Sequence, residues 1–195
     1  CRIWKTNYED LLRIVSKGDL YKMAASIGIN VVPSITEPDI GQLEEWSNVN
    51  PGPYFLKPYY EGIPGSALRQ KNLQLPDRKA LLEFAAKEGT NSLIVQRRIE
   101  GGDGHIFDCY GLCNVDGEVL TMASHRRLRQ LPAHIGTTCY GEIPAMLDDQ
   151  SESILFASTK TLLAAANFHG IFGIEWLHDR ETDKFYIIDF NARPF

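Results

Sequence analysis

Two alternating runs near the C-terminus, "IFGIEWL" and "KFYIIDF", are separated only by the polar stretch "HDRETD". Successive strand side chains point to opposite faces, so residues two apart share a face. The pattern therefore predicts an antiparallel hairpin with one apolar and one polar face. A turn centred on Thr182 places Glu175 opposite Asp189 and gathers Phe172, Ile174, Trp176, Tyr186, Ile188 and Phe190 on the apolar side. Asp189, Asn191 and Arg193 then follow one another along the other face.

Directly opposed residues have Cβ atoms about 4.5–5.5 Å apart, and like charges placed there destabilise the pair. Two facing carboxylates thus suggest a bound cation. Glu175, Asp189 and Asn191 offer oxygen donors only, which suit Mg2+ or Mn2+ better than zinc. Mg2+ is commonly held by one or two carboxylates together with substrate phosphates, and Arg193 lies where it can neutralise such a phosphate. The alternative is a solvated sheet face on which Arg193 simply offsets the acids.

Elsewhere, "NYEDLLRIVSKGDLYKMAASIGINVVPS" spaces apolar residues for two helices that divide near Gly18, with Gly28 as a C-terminal cap and "VVPS" opening an extended piece. "DIGQLEEWSNV" is a third helix, and "PYFLKPYY" is a strand leading into the loop "EGIPGSALRQ". "PDRKALLEFAAKEG" reads as a helix ending at Gly89, "SLIVQRRI" as a strand and "EGGDGH" as a turn. "IFDCYGLCNVDGEVLTMASHRRLRQ" is a long hairpin turning at Asp116 and Gly117, and "ESILFASTKTLLAAANFHG" is the strongest helix. Helices segregated from antiparallel hairpins read as α+β. Two lobes are expected: 1–93, carrying the leading helices, and 94–195. A chain that begins at Cys1 and stops just after a polar strand motif reads as a piece of a longer protein whose flanking domains lie outside it.

With 195 residues, 44% of them hydrophobic and 23% charged, the chain can bury a real core. A net charge of -5 and a pI near 5.5 argue against nucleic-acid or membrane surfaces, so any phosphate site must be local. No run approaches the roughly 20 apolar residues of a membrane helix, and no secretory signal is visible, so a cytoplasmic protein is expected. Cys1, Cys109, Cys113 and Cys139 show no CxxC spacing and read as reduced thiols. A zinc site from Cys109, Cys113, His105 and His125 lacks the usual paired spacing, and both thiols read better as small buried hydrophobes.

Several local features suit phosphate. Lys57 is the only charge in "PYFLKP" and precedes a loop in which Gly62, Gly65 and Ser66 could turn backbone N–H groups toward phosphate oxygens. Lysines at strand ends also snorkel to water, and Lys22, in "LYKMAASIG", reads equally as a solvated helix residue. In "SHRRLRQ", Arg127 and Arg129 share a strand face with His125 while Arg126 lies on the other, which fits either an anion site or a salt-bridged surface strand.

Taken in order, Lys22 before "GINVVP", Lys57 in "YFLKP", the loop "EGIPGS", the joint "IVQRRIEGGD" and the pattern "GIEW…FYIIDFNARP" resemble the successive motifs of the ATP-grasp superfamily over residues 19–195. "VQRRIEGGDGHIFDCYGLCNVDGEVL", "RRLRQLPAHIGTT" and "FHGIFGIEWLHDRETDKFYIIDFNARPF" are similar to its carboxylate-amine ligase branch, to which D-aspartate ligase belongs. The resemblance implies an ATP-grasp fold of two α+β lobes with the nucleotide site between them. It also implies ATP and Mg2+ (or Mn2+) as cofactors, and an acyl phosphate attacked by an amine. Its substrates would be a small carboxylate and a small amine, with no nucleic-acid or membrane partner and with a homodimer as an admissible assembly.

By the same resemblance, Lys22 and Lys57 would hold phosphates beneath a loop containing Gly62, Gly65 and Ser66. Gln96, Arg97, Arg98 and Ile99 would border the adenine, and Asp103 the ribose. Glu175, Asp189 and Asn191 would hold the metal, and Arg193, Arg127 and Arg129 would stabilise the transferring phosphoryl group or the acyl phosphate. Two departures stand out: the family usually has glutamate at the place of Asp189, and its adenine-side acid is Gln96 here. Two competing readings are a nucleotide-binding module without ligase activity and a metal-free structural or interaction domain.

Overall fold

The computed structural model describes residues 6–59, 72–133 and 136–193. The chain begins with helices α1 (Tyr8–Val15) and α2 (Lys17–Ser26). It divides into two compact units, one of residues 16–18 and 32–99, the other of residues 1–15, 19–31 and 100–195.

The first unit holds strand β1 (Ser34–Thr36), helix α3 (Ile40–Val49), strands β2 (Tyr54–Pro58) and β3 (Leu73–Leu75), helix α4 (Arg78–Glu88) and strand β4 (Leu93–Arg97). The four strands form an antiparallel sheet in the order β1-β4-β2-β3. Asp39 starts α3 with a capping box: its carboxylate accepts the Gln42 N–H, and the Gln42 side chain accepts the Asp39 N–H. Asp77 caps α4, and Gly89 ends it with a φ of 77° that favours glycine. Alternation along β2 and β4 turns Tyr54, Leu56, Leu93 and Val95 toward Leu43 of α3 and Leu81 and Ala85 of α4, which together form the core of this unit. The opposite face carries Phe55, Lys57, Ile94 and Gln96.

The second unit is built on a five-stranded antiparallel sheet, β7-β6-β5-β8-β9. Its strands are β5 (Ile106–Cys113), β6 (Val119–Leu131), β7 (Thr137–Glu142), β8 (Gly170–Asp179) and β9 (Lys184–Asn191), with α5 (Asp149–Ala165) between β7 and β8. The β5–β6 turn closes where expected: the Asn114 side chain accepts the Asp116 and Glu118 N–H groups, and Gly117 has a φ of 79°. Asp148 caps α5, which buries Leu155, Leu162 and Leu163.

Apart from residues 16–18, the leading helices group with this second unit rather than with residues 32–99, and β9 is the reason. Tyr21 donates its hydroxyl to the Ile188 carbonyl, Asn30 donates to Phe185, and the Ile187 N–H donates back to Asn30. The observed division therefore differs from the expected lobes 1–93 and 94–195, and its second boundary falls after Ile99. β3 and β7 were not expected. Both are edge strands that need one partner only, and "LQL" and "TTCYGE" carry no sustained apolar alternation.

In the C-terminal hairpin, Ile174 pairs with Phe190 and Glu175 with Asp189, as the alternation predicts. The register then shifts, and Trp176 pairs with Ile187. The extra residue, Ile188, reverses the alternation. Phe185 and Ile187 are therefore the buried residues at the start of β9, and the expected Tyr186 and Ile188 are only half-buried. Among the described residues, no helix is long and apolar enough to cross a membrane.

Candidate functional site

Strand pairing in the five-stranded unit sets four residues in one line across the sheet. His125 of β6 pairs with Asp108 of β5, Asp108 with Glu175 of β8, and Glu175 with Asp189 of β9. Asp108 is wholly buried, at 0% exposure. It sits 2.9 Å from His125 Nδ1 and accepts bonds from both Nε and Nη2 of Arg127, the first at 2.8 Å. Arg127, 8% exposed, also reaches Glu175 Oε1 at 2.9 Å. Asn191 Nδ2 donates to the same Oε1 at 3.0 Å, and Arg193 donates to Asn191 Oδ1 at 3.0 Å.

Electrostatics follow from this geometry. Burial pushes the Asp108 carboxyl up, but the His125 and Arg127 hydrogen bonds outweigh it and hold the group below the usual carboxylate range. Glu175 moves the other way. Burial raises it most, Arg127 opposes that rise, and the Asp189 and Asp108 charges add to it. A cation beside Glu175 and Asp189 would relieve that repulsion.

The donor set fits such an ion. Glu175, Asp189 and Asn191 present oxygens of the kind Mg2+ and Mn2+ prefer, and Glu175 keeps Oε2 outside its two hydrogen bonds. No group of three His, Cys, Asp or Glu side chains forms a metal cluster among the described residues. A metal here would therefore take two carboxylates and an amide oxygen from the protein, with the rest from a ligand, as is common for Mg2+.

Arg127 and Arg129 do not share an environment. The β6–β7 register shifts between them, so Arg127 is buried while Arg129 is exposed, and the alternation that joined them in the sequence is broken at Leu128. Arg193 is exposed and Asp189 half-buried, with Asp189 Oδ1 accepting the Phe190 N–H. Asp103 accepts a bond from Gln130 at 3.1 Å. Cys109 and Cys113 are fully buried free thiols.

In the four-stranded unit, Gln96 is 3% exposed and its Nε2 has no hydrogen-bond partner among the described residues; Arg97 Nε is likewise buried without one. Such orphan donors are costly unless a ligand completes them. The backbone N–H groups of Arg97 and Arg98 are already given to Pro33 and Pro53, and Ile99 is buried. Lys57 stands on the same sheet face as Gln96. Gly62, Gly65 and Ser66 lie outside the described residues.

Lys22 is exposed on α2, but Lys17 at the start of that helix is only 5% exposed. Lysine is almost never so buried unless its charge is paired. A Cβ at Gly18 would fall 2.2 Å from the Tyr59 ring, so the first turn of α2 packs against the chain that leaves β2 just after Lys57. Sequence reasoning passed over Lys17, which nothing in "SKGD" distinguishes. It also passed over Asp108, whose one signal was a lone acid in the apolar strand "IFDCYGLC".

No family model matches the chain. It is 23% identical over 193 residues to the C-terminal section of the carbamoyl phosphate synthase large chain of Methanopyrus kandleri, covering 98% of this chain and 35% of that protein. The structure is similar to biotin carboxylase from Campylobacter jejuni in its β,γ-ATP complex, with a TM-score of 0.80 at 16% identity over 98% of this chain and 43% of that one. Pyruvate carboxylase of Rhizobium etli gives 0.75 at 21% identity, over 98% of this chain and 17% of that one. L-amino acid ligase of Bacillus licheniformis gives 0.71 at 17% identity, over 98% and 43%. The chain thus spans about a third of its curated relative's length. From its two antiparallel sheets and these likenesses, the chain has the ATP-grasp fold.

Proposed function

We propose that the protein is an ATP-dependent carboxylate-amine ligase working through an acyl phosphate, with a small carboxylic acid and a small amine as substrates. One observation carries this reading: Glu175 and Asp189 face each other in register, and Asn191 and Arg193 extend the same polar chain. Biotin carboxylase from Campylobacter jejuni is described in a β,γ-ATP complex, and the protein from Bacillus licheniformis is named an L-amino acid ligase, which agrees with the reading.

Phosphoryl transfer depends on positioning and charge neutralisation more than on a protein base. Glu175, Asp189 and Asn191 would hold one or two Mg2+ ions. Held there, such an ion would supply positive charge to offset the negative charge that develops on the phosphate oxygens during transfer. Arg193 and Arg129, both exposed, would meet the transferring phosphoryl group or the acyl phosphate. Arg127 is already held by two carboxylates and would serve the site from behind.

In the four-stranded unit, Lys57 and the buried Lys17 are the cations suited to phosphate, with Lys17 preferred to the exposed Lys22. The orphan amide of Gln96 suits a purine edge, with Arg97, Arg98 and Ile99 as the proposed border of the adenine and Asp103 as the proposed ribose contact. The loop with Gly62, Gly65 and Ser66 is proposed as a phosphate cover. A cytoplasmic setting and a homodimer complete the proposal.

The test begins with MgATP in a thermal-shift measurement, since a ligand bound only by the native state raises Tm. ADP release is then followed as candidate acid and amine pairs are supplied to the full-length protein. Release that needs both substrates supports a ligase. An absent thermal shift rejects nucleotide binding, and binding without turnover over a broad substrate panel favours a module without ligase activity.

A further inference from the structure

The row His125–Asp108–Glu175–Asp189 holds more charge than a cation site needs. Asp108 and Arg127 cancel each other, which leaves the two charges of Glu175 and Asp189 for a divalent ion. The buried pair therefore adds no net charge to the site. Its contribution must be geometric.

We propose that Asp108 is a positioning residue for the cation site: acting through Arg127, it fixes Oε1 of Glu175 so that Oε2 is the oxygen offered to the ion. This rests on the functional reading above and adds a residue to it. A guanidinium is a planar fork, and a carboxylate that takes two of its N–H groups sets the plane of the whole group. Asp108 takes Nε and Nη2 of Arg127, and Nη2 also meets Glu175 Oε1. The direction of the Glu175 carboxylate is thus inherited from Asp108.

Asp108 itself is held from the far side. The His125 ring touches it through Nδ1, and that ring is seated where Gly141 leaves room, because a Cβ there would fall 2.1 Å from His125 Nε2. Asn191 closes the arrangement by donating to the same Oε1. Both hydrogen bonds fall on one oxygen of Glu175, which is the asymmetry expected of a carboxylate kept ready for a ligand on the other.

The experiment measures ATP affinity by calorimetry with and without Mn2+ and takes the ratio as the metal-dependent gain. Two variants of the full-length protein are compared with the parent. Asp108→Asn keeps the shape but weakens the grip on Arg127. The double variant Asp108→Leu with Arg127→Met replaces the buried pair by apolar groups, an exchange that often leaves stability unharmed. A fall of about tenfold or more in the metal-dependent gain is expected in both, with metal-free ATP affinity within about twofold of the parent, as for the loss of one charge-assisted hydrogen bond. A purely structural Asp108 would not separate those two affinities. A smaller fall in either folded variant overturns the proposal, and if one variant does not fold the other decides. A parent whose ATP affinity does not respond to Mn2+ defeats the underlying functional reading instead.

Discussion

Glu175 lies directly across from Asp189 on neighbouring strands, and Glu175 in turn accepts a hydrogen bond from Asn191, two residues beyond Asp189. Removing one carboxylate from such a pair should remove the metal without disturbing the sheet. Asp189→Ala is expected to abolish Mg2+-dependent ATP binding while leaving the circular dichroism spectrum and Tm close to the parent's, because Asp189 is only half-buried. Calorimetry with MgATP checks it, and an unchanged affinity would remove Asp189 from the site.

Lysines test the phosphate side. Hydrogen bonds to charged groups contribute roughly 1.5–3 kcal/mol, so Lys57→Met and Lys17→Met should each weaken ATP binding by about ten- to a hundredfold. Fluorescence titration with a nucleotide analogue measures this. If Lys22→Met weakens binding and Lys17→Met does not, the α2 contact belongs to Lys22 after all.

Gly141 supports the site through empty space. An added Cβ would meet His125 Nε2 at 2.1 Å and the Arg126 carbonyl oxygen at 2.7 Å, and the second of these is backbone that cannot swing away. Gly141→Ala should therefore destabilise the fold by about 1–3 kcal/mol, the usual cost of overpacking. Urea unfolding of parent and variant reads the difference, and equal midpoints would mean that the β6–β7 pair opens to admit the methyl group.

Cysteine reactivity divides by burial. The Cys109 thiol is pushed up to about 12, chiefly by burial, and burial raises Cys113 as well. Alkylation needs the thiolate. At pH 8 iodoacetamide should label exposed Cys139 while Cys109 and Cys113 stay protected until denaturant is added. Peptide mass spectrometry counts the adducts, and rapid native labelling of Cys109 would contradict its place in the core.

The site was legible in the sequence to the extent that it is local. Glu175 and Asp189 belong to one hairpin with a short connection, so alternation and loop length sufficed to pair them. Failures came where a single inserted residue changed the phase. The bulge at Ile188 moved burial to Phe185 and Ile187, and the register shift at Leu128 separated Arg127 from Arg129. Strict alternation did not reveal either bulge, because which residue is left unpaired is set by its pairing with the neighbouring strand, and that residue then reverses the facing of those beyond it.

What the sequence determined by itself is the antiparallel hairpin, its facing carboxylates and an α+β arrangement of helices and strands, since these follow from side-chain direction along a short stretch of chain. Only the tertiary structure decided that Asp108 stands beside Glu175, because β5 and β8 are brought together by a sheet whose pairing spans the intervening β6, β7 and α5. Only the fold, likewise, shows that Lys17 is buried while Lys22 is exposed. A lysine's surroundings depend on what packs over it, and here Gly18 closing on Tyr59 sets the place of that helical turn.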